Sequence, residues 1–184
     1  MKRKKTTAIA FLTGSLLLSL LWADTYEELT VGDGNSVTAG KHGIAVGFSN
    51  EVTQGSGSAA FGFNNNVWAQ TGASAFGYQN TVTGWAAEAH GDSNTVSTTT
   101  SAAFGAQNVL SAPGARTFAL GIYLRSSVTY GTVVGKFNAE RSDMLFGVGN
   151  GTGAATRANA LEVYGNGDVV VPTPQGDIMM GDFE

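Results

Sequence analysis

One glycine recurs through most of this chain at nearly constant spacing. Gly32, Gly47, Gly62, Gly77, Gly91, Gly105, Gly121 and Gly135 stand 15, 15, 15, 14, 14, 16 and 14 residues apart. A repeat this short rules out helix-pair solenoids, which need more than about 30 residues per unit. It fits one coil of a narrow β-solenoid, with two short strands and two turns.

Fixed columns accompany the glycine. Three residues after it stands Asn35, Asn50, Asn65, Asn80, Asn94 or Asn108, then Leu124 as a miss, then Asn138. Five residues after it stands Val37, Val52, Val67, Val82, Val96 or Leu110. Two residues before the next glycine comes Ala45, Ala60, Ala75, Ala89, Ala103 or Ala119, then Val133. The residue just before that glycine is usually bulky: Val46, Phe61, Phe76, His90, Phe104, Leu120, Val134. One residue after the glycine, Phe48, Phe63 and Tyr78 are aromatic.

Side chains alternate across a strand, so Ala and its bulky successor face opposite ways. A coil of about 15 residues encloses room for Ala and Val only. The Ala column is therefore predicted to line the lumen and the bulky column to lie outside. A stripe of Phe and Val outside is an apolar patch that self-association would cover. The Asn column suits a turn, because Asn tolerates the left-handed conformation, and stacked Asn can form a ladder. Length varies only between the Val column and the next Ala, which marks the variable loop of each coil.

The segments GNSVTAGKHGIAVG, SGSAAFGFNNNV, TGASAFGYQNTV and SAAFGAQNVL resemble the head repeats of YadA-type trimeric autotransporter adhesins. The resemblance covers residues 32–138. It implies an all-β, left-handed parallel β-roll of 14–16-residue coils and a homotrimer with three rolls side by side. The bulky column Val46, Phe61, Phe76, His90, Phe104, Leu120 is then the expected trimer face. It also implies binding of an extracellular glycan or matrix protein.

The expected organisation is a leader at 1–23, an N-terminal cap at 24–31, the roll at 32–143, a closing module at 144–171 and an extended tail at 172–184. Within the closing module, alternation in Ala160–Tyr164 and the turn Gly165-Asn166-Gly167 read as a β-hairpin. The module is similar to those found after such heads and in some phage tail-fibre proteins. No heptad run and no series of membrane-length strands follows residue 138, so the resemblance is to a head without stalk or barrel.

Lys2, Arg3, Lys4 and Lys5 precede a short apolar stretch, Ala8 to Trp22, and then the small residue Ala23. This is the layout of a secretory signal peptide cut between Ala23 and Asp24, with no membrane span expected after cleavage. Cleavage leaves 6 basic and 14 acidic residues, a formal charge of −8. Such a chain repels nucleic acid. It contains no Cys, so no disulfide braces it despite export.

No catalytic, cofactor or metal site is expected. His42 and His90 lack acidic or Cys partners at ligand spacing. The strings Gly32-Asp-Gly34 and Gly147-Val-Gly-Asn-Gly151 do not fit phosphate-binding motifs. A polysaccharide-cleaving solenoid would need longer coils and clustered acids. An ice-binding one would need regular Thr rows, whereas Thr98-Thr-Thr100 stands alone. Trp68 and Trp85 fall in variable segments, as packing residues or ligand contacts. The expected function is an exported, non-enzymatic adhesin-head-like binding module at or outside a bacterial cell surface. The alternative is a purely structural fibre, matrix or surface-layer component, or a phage-type fibre fragment.

Overall fold

The computed structural model describes residues 28–172 except 39–41, 55, 70, 112 and 114. The leader, the Ala23–Asp24 cleavage point, residues 24–27 and the tail beyond Pro172 lie outside the described residues.

The described chain is all-β. In order the strands are β1 (Leu29–Val31), β2 (Ser36–Thr38), β3 (Ile44–Phe48), β4 (Glu51–Thr53), β5 (Ala59–Phe63), β6 (Asn66–Val67), β7 (Ser74–Tyr78), β8 (Thr81–Val82) and β9 (Glu88–Asp92). There follow β10 (Thr95–Val96), β11 (Ala102–Ala106), β12 (Val109–Leu110), β13 (Phe118–Ile122), β14 (Arg125–Ser126), β15 (Thr132–Lys136), β16 (Met144–Asn150), β17 (Asn159–Tyr164) and β18 (Val169–Val170). Successive strands fall alternately on a long sheet and a short one. The long sheet runs β1-β3-β5-β7-β9-β11-β13-β15-β16-β17-β18, and the short sheet β2-β4-β6-β8-β10-β12-β14. Pairing is parallel from β1 to β16 and throughout the short sheet. The result is a parallel β-solenoid.

Register follows the sequence columns. Gly47 pairs Gly62, Gly62 pairs Gly77, Gly77 pairs Gly91 and Gly91 pairs Gly105, with the alanines likewise aligned. Ala45, Ala60, Ala75, Ala89, Ala103 and Ala119 are fully buried in the lumen. They face Val52, Val67, Val82, Val96 and Leu110 of the short sheet, which are buried in the same core. A third inward column is small: Gly43, Ser58, Ala73, Ala87, Ser101, Thr117 and Gly131, each buried at the turn before a long-sheet strand.

The fourth wall of the lumen is the Asn column. Asn80 Nδ2 donates to Asn65 Oδ1 at 3.0 Å, to the Phe76 carbonyl at 3.2 Å and to the Gly91 carbonyl at 2.9 Å. Its own Oδ1 accepts from the Asn94 backbone N–H and from Asn94 Nδ2, both at 3.0 Å. The same set recurs at Asn50, Asn65 and Asn94, and at Asn108 except that its Oδ1 accepts only the Leu124 backbone N–H. Buried amides are costly unless satisfied, and here each is satisfied along the axis. The glycine column completes this arrangement. The carbonyl that accepts from Asn occupies the place of a side chain: a Cβ on Gly77 would lie 2.1 Å from the Gly91 oxygen. Only glycine fits.

Three expectations are corrected. The left-handed residue of this turn is not Asn but the residue before it, at Ser49, Asn64, Gln79, Ser93, Gln107, Tyr123 and Phe137, with φ between 43° and 57°. The Asn instead points inward to tie successive coils. The stretch at 24–31 is not wholly a separate cap, because β1 is the first rung of the long sheet, pairing Leu29 with Ile44 and Val31 with Val46. The roll also runs past residue 143, since β16 adds a parallel rung that pairs Gly149 with Gly135.

The end of the roll closes where pairing turns antiparallel, with β17 on β16 and the β17–β18 hairpin beyond it. Gly147 takes the Ala slot, and the Met144 side chain fills the lumen there, within 2.6 Å of where a Gly147 Cβ would be. Glu162 is buried beside it and accepts from Asn159 Nδ2 at 2.7 Å, from Tyr164 Oη and from Arg141 Nε at 3.3 Å. Burial alone would raise the Glu162 carboxyl, but these hydrogen bonds and the Arg141 charge outweigh it and hold it below the ordinary range.

Candidate functional site

With the lumen filled, chemistry is left to the two outer faces. On the long sheet the bulky column forms a continuous stack. Phe61 lies on Phe76 with ring centroids 4.8 Å apart, Phe76 on His90 at 4.8 Å, and His90 on Phe104 at 4.7 Å. The in-register parallel pairing dictates this, because it places like side chains one coil apart. His90 thus continues the Phe stack, with Nε2 3.6 Å from Glu88. A second stack runs beside the first: Phe48 on Phe63 and Phe63 on Tyr78, both at 5.2 Å. Stacking covers ring faces but leaves edges open. Phe48, Phe63, Phe76, Tyr78, Leu120 and Ile122 remain exposed, Leu120 by half. Val46, Phe61, His90 and Phe104 are half-buried.

The short-sheet face is different in kind. Flanking the inward Val column are Ser36 and Thr38, Glu51 and Thr53, Asn66 and Trp68, Thr81 and Thr83, and Thr95 and Ser97. Three of these pairs, Ser36 with Thr38, Thr81 with Thr83 and Thr95 with Ser97, carry two outward hydroxyls, but Glu51 and the Asn66–Trp68 pair interrupt any regular Thr-x-Thr row. Thr98, from the run Thr98-Thr-Thr100, is buried in the lumen. In this polar face Trp68 stands out, 55% exposed. With Thr38, Glu51, Thr53, Gln54 and Asn66 it lines a shallow cleft of about 470 Å³.

No family model, curated protein or solved structure matches the chain. The site must therefore be read from its own chemistry. Trp85 is exposed on a turn, away from this cleft's lining. Among the described residues no three His, Cys, Asp or Glu side chains gather as a metal-binding group. Among the same residues no helix is long and apolar enough to cross a membrane.

Proposed function

We propose that this chain is an exported, homotrimeric, non-catalytic binding module that resembles the head of a YadA-type adhesin and works at or outside a bacterial cell surface. The observation that carries the reading is the pair of aromatic stacks on the long sheet. A monomer would present them to water as one apolar band along the roll, whereas three copies packed long sheet to long sheet would cover it. The in-phase Gly, Asn, Val and Ala columns support the likeness to the head repeat, from which the trimer number and a left-handed coil are taken. The basic, apolar and small residues of 1–23 support export.

Light scattering tests this reading. The protein recovered outside the cytoplasm should have the mass of three chains, and N-terminal sequencing should begin at Asp24. Replacing Phe61, Phe76 and Phe104 together by Asp should give monomers or aggregates. A monodisperse monomer of the unaltered chain would refute the trimer. Arrays of immobilised glycans and matrix proteins then test binding. Assembly with no ligand on either array would favour the purely structural fibre or matrix component.

A further inference from the structure

The outermost column of the short sheet reads Thr38, Thr53, Trp68, Thr83, Ser97 and Ser111. Five of its six members are small alcohols, so the column needs no large residue for its own packing. The lumen beneath is already filled by Val67, which is fully buried. An indole left 55% exposed among threonines has no structural task that its neighbours do not perform without one.

The lining explains it better. Trp68 supplies a flat apolar wall. Thr38, Thr53, Asn66 and Gln54 supply hydroxyls and amides that both donate and accept, and Glu51 supplies a carboxylate acceptor. Sugars need this combination: their ring C–H faces pack on aromatic planes while their rims carry hydroxyls that donate and accept. The lining comes from β2, β4, β6 and their adjoining turns, three successive coils, so the cleft extends about 10 Å along the axis. That is the length of a disaccharide, and the volume of about 470 Å³ lies in the small-ligand range. Among the described residues of the lining, Glu51 is the one charged side chain. A sialylated or sulfated sugar would meet the Glu51 carboxylate there.

We infer that the Trp68 cleft binds a short neutral oligosaccharide segment, stacked on the indole and hydrogen-bonded by Thr38, Glu51, Thr53 and Asn66. This rests on the binding-module reading above and gives it a ligand class and an address. Assembly through the long-sheet stacks leaves this opposite face open.

With the leader removed the chain keeps Trp68 and Trp85, so Trp85→Phe leaves Trp68 as the sole indole. Its fluorescence is titrated with chitotetraose, cellotetraose and lacto-N-tetraose as neutral probes, and with sialyllactose as the anionic one. A saturable change with at least one neutral probe is expected, with sialyllactose about ten-fold weaker or silent. Trp68→Ala should lower retention on that neutral glycan about ten-fold or more while leaving the melting temperature unchanged. Glu51→Gln should narrow the gap between neutral and sialylated probes. Silence with all neutral probes, or glycan binding that survives Trp68→Ala, overturns the inference. If a trimer binds matrix proteins and no sugar, the cleft assignment fails while the head reading stands; a monomer that binds nothing defeats both.

Discussion

Two glycines of neighbouring turns have positive φ, yet replacing them by alanine should have opposite outcomes. At Gly77, φ is +120° and an added Cβ would stand 2.1 Å from the Gly91 oxygen. Relief needs about 1 Å of separation between coils spaced about 4.8 Å apart. The oxygen that must move is the one bound by Asn80 Nδ2 at 2.9 Å. Holding Ala in this backbone region costs about 1–3 kcal/mol, and disturbing the buried amide adds about 1–3 more. Gly77→Ala should therefore cost roughly 2–6 kcal/mol. At Gly72, φ is +65° and nothing lies within 4 Å of the added Cβ. The corresponding position of the next coil is already Ala86, at φ 49°. The left-handed cost of about 1 kcal/mol is largely offset by the lower entropy of the unfolded chain, leaving Gly72→Ala within about 0.5–1 kcal/mol of the parent. For a chain of this size each kcal/mol moves the melting temperature by about 2–4 °C. Thermal melting followed by far-ultraviolet circular dichroism, at one fixed concentration because assembly contributes to stability, should place Gly77→Ala about 10 °C below Gly72→Ala at the middle of that range. Variants melting within about 2 °C of each other would refute the steric role assigned to the glycine column.

The Asn ladder and the closing module give two further tests. Asn80→Ala removes the acceptor of the buried Asn94 N–H and the donor to the Phe76 and Gly91 carbonyls, so urea unfolding should show a loss of about 2–4 kcal/mol. Because the folded-state pKa of Glu162 is depressed, its contribution is present above the unfolded value near 4.5 and is lost as pH falls through the lower folded value. Melting temperature should thus drop on acidification below about pH 4.5, and Glu162→Gln should flatten that part of the profile; an unchanged profile would remove Glu162 from the account of closure.

The columns that could be read from sequence are those where sterics leave one or two residue types. Gly is forced by the neighbouring carbonyl, Ala and Val by the lumen's width, and Asn by a three-way hydrogen-bonding task. The left-handed positions escaped because many residues serve there: Ser49, Gln79, Tyr123 and Phe137 share that conformation without sharing chemistry. The last rung was misplaced because its identifiers change. Gly147 replaces Ala, Met144 supplies the missing volume, and Thr152 stands where Asn would follow Gly149. At Leu124 the pattern breaks without breaking the roll. Leu124 still donates its N–H to Asn108 Oδ1, and Asn138, lacking an amide partner, turns to the Arg125 backbone. The Trp68 cleft could not be read, because its residues come from three coils between Thr38 and Trp68 and meet only when coils stack.

The direction of the hydrogen bonds gives the roll a mechanical character. Sheet bonds and Asn ladder alike run parallel to the axis, from each coil to the next. Tension applied between the two ends therefore opens them in series, rung after rung, instead of loading all of them at once in shear. Each coil released adds about 15 residues of extended chain, close to 50 Å, in exchange for one coil rise of about 4.8 Å. A tethered rod of this kind yields under load by lengthening in equal steps from one end while the remaining coils stay wound.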